Sequence, residues 1–134
     1  MFVDACALVA ILSKEPEALS YEAEIARSQS PWTTPLAAFE AILVLARPSK
    51  LDAGYLTVHE LLMRYLAKVG VALREPGDAQ EMLSYAVMVA DRHGTGKKKL
   101  STFDCFHYAA AKTAGSPLLT LDNLLRDTNV PTLP

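Results

Sequence analysis

Met1-Phe2-Val3-Asp4-Ala5-Cys6-Ala7-Leu8-Val9-Ala10 opens the chain with a short apolar run, an acid, and a segment rich in Ala, Leu and Ile that continues to Lys14. Propensity and pattern predict a strand ending at Asp4 and a helix over Ala5 to Lys14. The same order recurs near the other end, where Pro117-Leu118-Leu119-Thr120-Leu121 is an apolar run closing on Asp122, with a short helix expected after it. A strand that hands the chain to a helix through an acid, twice, is the reading on which the fold turns.

Working outward, Glu17 to Ser28 is expected as a helix behind Pro16, ended by Ser30-Pro31. Trp32-Thr33-Thr34 is a brief strand, and Pro35 to Arg47 a strongly apolar helix stopped by Pro48, with Glu40 in its middle. From Asp52 to Lys68 the residues Leu56, Leu61, Leu62, Tyr65, Leu66 and Val69 recur at helical spacing, and Gly70 supplies the stop. Val71-Ala72-Leu73 reads as a strand. A helix from Asp78 to about His93 then carries Met82, Tyr85, Ala86, Val89 and Ala90 on one face. Thr102 to Ala114 is the next helix, and Asn129-Val130-Pro131-Thr132 a last strand at a sheet edge. Short apolar strands alternating with helices require crossover connections, so the fold class is α/β, with a mostly parallel sheet of about five strands covered by helices.

At 134 residues and 51% hydrophobic content the chain has the size and apolar content of one domain, residues 1 to 134. No run of about 18 apolar residues and no signal-peptide start is present, which leads to the expectation of a soluble, cytoplasmic protein with no membrane partner. Cys6 and Cys105 each lie inside apolar runs and read as small buried hydrophobes rather than a disulfide framework. A net charge of -2 and a pI of 5.9 exclude a global basic field, so any nucleic-acid contact must be local. The dense basic cluster is Lys97, Lys98 and Lys99, with Arg92 and His93 before it; a solvated loop is its structural alternative.

The chemistry lies in four acids. Ligands of parallel α/β sheets bind at the carboxyl ends of the strands, where Asp4 and Asp122 should meet, although an aspartate between strand and helix is also an ordinary N-cap. Glu40 has Leu36, Ala37, Leu43 and Val44 as its helical neighbours at three and four positions, with no cation among them. A carboxylate on such a face is costly to desolvate unless the helix turns it to water or something positive meets it. Asp104 stands three residues after Ser101, a capping-box spacing, on a helix face that also carries His107 and Tyr108. Gathered carboxylates repel by about 4 kcal/mol per pair at an effective dielectric near 20, so a fold that collects them normally binds a cation. Oxygen donors without a Cys or His cluster favour Mg²⁺ or Mn²⁺, ions suited to activating water for phosphodiester hydrolysis.

The opening decapeptide, Thr34-Pro35 to Glu40, Phe103-Asp104-Cys105-Phe106-His107-Tyr108-Ala109 and Pro117 to Asp122 together resemble the motifs of VapC-like toxins of the PIN-domain family, in order and spacing along essentially the whole chain. The resemblance implies a three-layer PIN fold and a metal-dependent ribonuclease. Asp4 and Asp104 would be direct metal ligands, with Glu40 and Asp122 bound directly or through water. It also implies supporting roles for Thr120 and Asn123, an RNA substrate, a VapB-like antitoxin and a homodimer. Cys6 stands where many relatives carry Ser or Thr, and Asn123 follows Asp122 where a second acid is common, which favours one metal over two. Lys97, Lys98, Lys99 and Arg92, with Arg47 and Lys50, are candidates for phosphate contacts. A haloacid-dehalogenase type of phosphatase would need an acid at Cys6, and a receiver domain a lysine at the end of the Leu118 strand. A thiol enzyme on Cys105 and His107 is conceivable, but residues two apart on a helix diverge, which favours core packing for Cys105. The surviving alternative is a PIN-like binding or scaffold module with an inactive metal site.

Overall fold

The computed structural model describes residues 1–134. Five two-residue strands, β1 (Phe2–Val3), β2 (Trp32–Thr33), β3 (Ala72–Leu73), β4 (Leu118–Leu119) and β5 (Thr132–Leu133), form one sheet in the order β3-β2-β1-β4-β5. Every pairing is parallel. Parallel neighbours need crossovers. These are supplied by α1 (Ala5–Leu12) and α2 (Ala18–Arg27), α3 (Pro35–Leu45) and α4 (Tyr55–Val69), α5 (Ala79–His93) and α6 (Thr102–Thr113), and α7 (Asn123–Arg126). The sheet order reverses between β1 and β4, so the carboxyl ends of these two strands flank the switch point where α/β sheets bind ligands.

The central strands are the core. Phe2, Val3, Leu118 and Leu119 are completely buried and Trp32 nearly so, whereas β3 is exposed and β5 half-buried at the edges. This explains why the inner strands read as unbroken apolar runs and the outer ones do not. Thr33 donates its hydroxyl to the Val3 carbonyl at 2.9 Å, locking β2 to β1 just before the site. Helix α1 packs against α2 and α3, α3 against α4, and α5 against α6.

Several element ends fall one to three residues from the sequence reading, and three of them have a visible cause. Helix α1 stops at Leu12 because the Ser13 hydroxyl turns back to the Val9 carbonyl and Lys14 takes a left-handed φ of 57°. Helix α4 starts at Tyr55 rather than Asp52, since Asp52 is itself left-handed (φ 48°) and Gly54 is the cap. The last strand is Thr132–Leu133, not Asn129 to Thr132: Asn129 is drawn out of the sheet as acceptor for the Tyr108 hydroxyl at 2.8 Å. No helix is long and apolar enough to cross a membrane.

Candidate metal centre

The three aspartates all begin helices. Asp4 caps α1, its Oδ1 accepting the Ala5 N–H at 2.7 Å. Asp104 completes a capping box on α6, its Oδ2 accepting the Ser101 N–H at 2.6 Å while the Ser101 hydroxyl accepts the Asp104 N–H at 3.1 Å. Asp122 caps α7 through Oδ1, which accepts from Leu124 and Leu125. Capping and a ligand role are therefore compatible here, because a carboxylate has about four lone-pair sites and each cap uses one oxygen.

Asp4 is only 3% exposed, at the carboxyl end of β1. Its second oxygen, Oδ2, accepts the hydroxyl of Thr120 at 2.8 Å. The register produces this contact: Phe2 pairs with Leu118 and Val3 with Leu119, which brings Asp4 beside Thr120. The same Thr120 Oγ1 accepts the Asp122 N–H at 3.1 Å, so one buried hydroxyl ties the first and last acids together. Cys6 Sγ lies 3.1 Å from Thr120 Oγ1 and 3.6 Å from the Tyr21 hydroxyl, which in turn accepts the Leu121 N–H at 3.0 Å. Burial, then the nearby Asp4 charge, push the Cys6 thiol up to about 12. It is an inert filler of this network and no nucleophile. Burial also raises the Tyr21 phenol far above its ordinary range.

Glu40 reaches the same edge from α3, a helix capped by Thr34, whose hydroxyl accepts the Ala37 N–H at 3.1 Å. Its partner comes from another helix. His107 of α6 places Nε2 2.5 Å from Glu40 Oε2 and 3.7 Å from Asp4 Oδ1, with the imidazole 1% exposed. Burial alone would lower the His107 pKa. The Glu40 hydrogen bond and the charges of Asp4, Glu40 and Asp104 outweigh that, holding it above the ordinary histidine value. Electrostatically, then, His107 joins three of the acids, while Asp122 is linked through Thr120.

No three such side chains converge closely enough to enclose an ion as they stand. The donor set nevertheless fits a hard divalent cation. Asp4 is a buried carboxylate with lone pairs to spare, Glu40 lies across His107 from it, and one oxygen each of Asp104 and Asp122 is free of hydrogen bonds. Asn123 is exposed at the start of α7 and makes no side-chain hydrogen bond to the acids. Lys97, Lys98 and Lys99 are exposed on the loop that leads into Ser101 and Asp104. Arg92 lines a cleft with Tyr85, Tyr108 and Lys112 on the α5 and α6 side, and Lys50 is paired with Glu15. Sequence spacing puts His107 on the Asp104 face, but no local signal reveals that Glu40 lies opposite. Tyr21 has no sequence signal beyond its place on the buried face of α2.

The switch-point acids on a five-stranded parallel sheet define the class of protein. The PIN domain family matches residues 1–130, and the chain belongs to that family. Within it the chain belongs with the VapC-like ribonucleases. It is 33% identical to Ribonuclease VapC of Mycolicibacterium smegmatis over 97% of both chains. The fold matches the crystal structure of Mycobacterium tuberculosis VapC20, a sarcin-ricin-loop-cleaving toxin, with a TM-score of 0.72 and 14% identity over 96% of this chain and 95% of that one.

Proposed function

We propose that this chain hydrolyses RNA phosphodiester bonds with Mg²⁺ or Mn²⁺ held by Asp4, Glu40, Asp104 and Asp122, as the toxin of a toxin–antitoxin pair. The observation that carries the reading is the Asp4 carboxylate, 3% exposed at the switch point and facing Glu40 across His107. Burying an acid among acids is unfavourable unless positive charge meets them; His107 supplies part of it between Asp4 and Glu40, and a bound cation would supply the rest for the full set. When bound, the metal would supply Lewis-acid polarisation of the phosphate and an activated water.

The chain's own residues do the rest. The Ala5 N–H and the Thr120 hydroxyl orient the two Asp4 oxygens, and the capping box orients Asp104. The partly exposed Glu40, its side chain 24% accessible, is suited to accept a proton from a water at the solvent edge. Lys97, Lys98 and Lys99, exposed on the loop before the Asp104 helix, would contact backbone phosphates of an incoming strand. A VapB-like antitoxin would silence the site by inserting a basic side chain among the carboxylates, and a homodimer is the expected assembly.

The test compares wild type and Asp4→Asn on total RNA with Mn²⁺, with Mg²⁺ and with excess chelator. Cleavage that needs metal and falls at least about 100-fold in the variant is expected. Equal behaviour of both proteins, with no Mn²⁺ binding by either, would overturn the reading. It would favour the scaffold module, toward which the unconverged carboxylates point.

A further inference from the structure

We propose that the cleft between α5 and α6 is an anion site that takes one phosphate group of the RNA strand at a distance from the acids. The inference rests on the RNA-cleaving reading above for its occupant and adds a binding site to it. The walls carry Tyr85, Arg92 and His93 from α5, Tyr108 and Lys112 from α6, and Asn129 from the loop before β5, with no carboxylate among them. Arg92 and Lys112 take part in no ion pair, whereas Arg27, Lys50 and Arg64 each meet a glutamate. Asn129 is held at the cleft because its Oδ1 accepts the Tyr108 hydroxyl at 2.8 Å, which leaves its NH₂ as a donor. Arg92, Lys112 and the Asn129 amide thus offer a ligand donors only. Cations in the last turn of a helix offset its dipole, which accounts for Arg92 and for Lys112 one at a time. It does not account for two helices bringing them to one cleft without a counter-charge, an arrangement that concentrates anions.

The cleft holds about 50 Å³. One water takes roughly 10–15 Å³ on this scale, so there is room for about four waters or one tetrahedral phosphate group, and none for a base. Its place relative to the acids follows from helix geometry. Asp104, Tyr108 and Lys112 are spaced by four residues, so they form one row along α6 that starts at the acid. At a rise of about 1.5 Å per residue, Tyr108 lies about 6 Å and Lys112 about 12 Å beyond Asp104 along the helix. With about 3.4 Å of advance per stacked nucleotide, a strand cut at the acids reaches the cleft roughly two to four nucleotides away. Lys99 joins the loop lysines to this path. Its side chain folds over Gly94, the residue after His93, with Nζ 2.8 Å from where a Cβ there would stand. A phosphate carries no base identity, so the cleft sets the register of the strand and not its sequence.

The test measures binding of a fluorescent oligouridylate of about 12 nucleotides to the full chain, in chelator so that nothing is cleaved. Wild type is compared with the cleft double variant Arg92→Gln/Lys112→Gln and with the charge-matched Arg64→Gln/Lys68→Gln on α4. In the cleft variant affinity should fall about tenfold, as for one lost charge-assisted contact. The slope of log K against log salt should shrink by about 0.7, the share of one phosphate on a single strand. The α4 variant should stay within about twofold of wild type. Independently of any variant, inorganic phosphate added to the metal-free wild type should shift the amide NMR signals around Arg92 and Lys112, and the oligouridylate should displace it. A cleft variant with wild-type affinity, an equal loss in both variants, or no phosphate-induced shift overturns the proposal. Displacement of the phosphate by a polyglutamate peptide and not by RNA also overturns it, in favour of an acidic protein segment, and displacement by neither marks a site for free phosphate alone. Metal-dependent cleavage by a wild type whose cleft is silent leaves the ribonuclease reading intact. RNA held in the cleft of a protein that never cleaves it sinks that reading and leaves the cleft standing, whereas a wild type that binds no RNA overturns both.

Discussion

Replacing Thr120 by Val keeps the shape of a fully buried side chain and removes one hydroxyl that, besides its contact with Cys6 Sγ, ties two of the acids together. It donates to Asp4 Oδ2 at 2.8 Å and accepts from the Asp122 N–H at 3.1 Å. A hydrogen bond to a charged group is worth roughly 1.5–3 kcal/mol, and an N–H left without an acceptor costs up to about the same when buried. Asp122 is only partly buried, so water compensates part of the second loss. The expected destabilisation is about 2–4 kcal/mol. Thr120→Ser keeps the hydroxyl and removes one methyl, at about 1 kcal/mol. For a urea m-value near 1.5 kcal/mol per M, the Val variant should unfold at a midpoint roughly 1.3–2.7 M below wild type with m unchanged. Its Mn²⁺ affinity should fall roughly 10- to 100-fold, because Asp4 loses the group that orients it. A Val midpoint within about 0.3 M of wild type, or a Ser variant as unstable as the Val one, would refute the idea that this hydroxyl organises the site.

Ser101→Ala removes the side-chain half of the capping box but leaves the backbone N–H that holds Asp104 Oδ2. Thermal unfolding should shift down by roughly 2–6 °C, for a cap worth about 1 kcal/mol, while metal-dependent cleavage stays within about threefold of wild type. A loss of cleavage as large as in Asp104→Asn would show that the hydroxyl is needed at the site itself. Cys6 and Cys105 should both resist iodoacetamide in the native protein at pH 8. Burial first, and then Asp4 for Cys6 and Asp104 for Cys105, raise both thiols, and with Cys6 pushed up to about 12 its thiolate is about one part in ten thousand at that pH. The Cys6 rate should climb about tenfold per pH unit while the fold holds, as thiolate fraction dictates. Alkylation of the native protein at the rate of a free thiol would contradict the buried network around Thr120.

The periodic segments and both strand-to-acid junctions were legible because they are local. Unbroken apolar runs mark strands buried on both faces, and apolar residues at three- and four-residue spacing mark helices. The misplaced boundaries at Lys14, Asp52 and Asn129 are also instructive, since each was decided by a backbone conformation or a partner that pattern does not encode. Asn129 is the clearest case. It reads as the start of a strand until the Tyr108 hydroxyl, from a different helix, claims its side chain.

The sequence by itself determined the α/β class, the parallel sheet and the residue types of the acidic set, because strand and helix periodicities and helix-start chemistry are written in neighbouring residues. Only the tertiary structure decided how those acids are partnered. Asp4 and Thr120 are 116 positions apart, and Glu40 and His107 are 67 apart. Those pairs exist because β4 lies in register beside β1 and because α3 and α6 pack together. Glu40 lacks a cation on its own helix, and the group that meets it comes from a helix no local pattern connects to it.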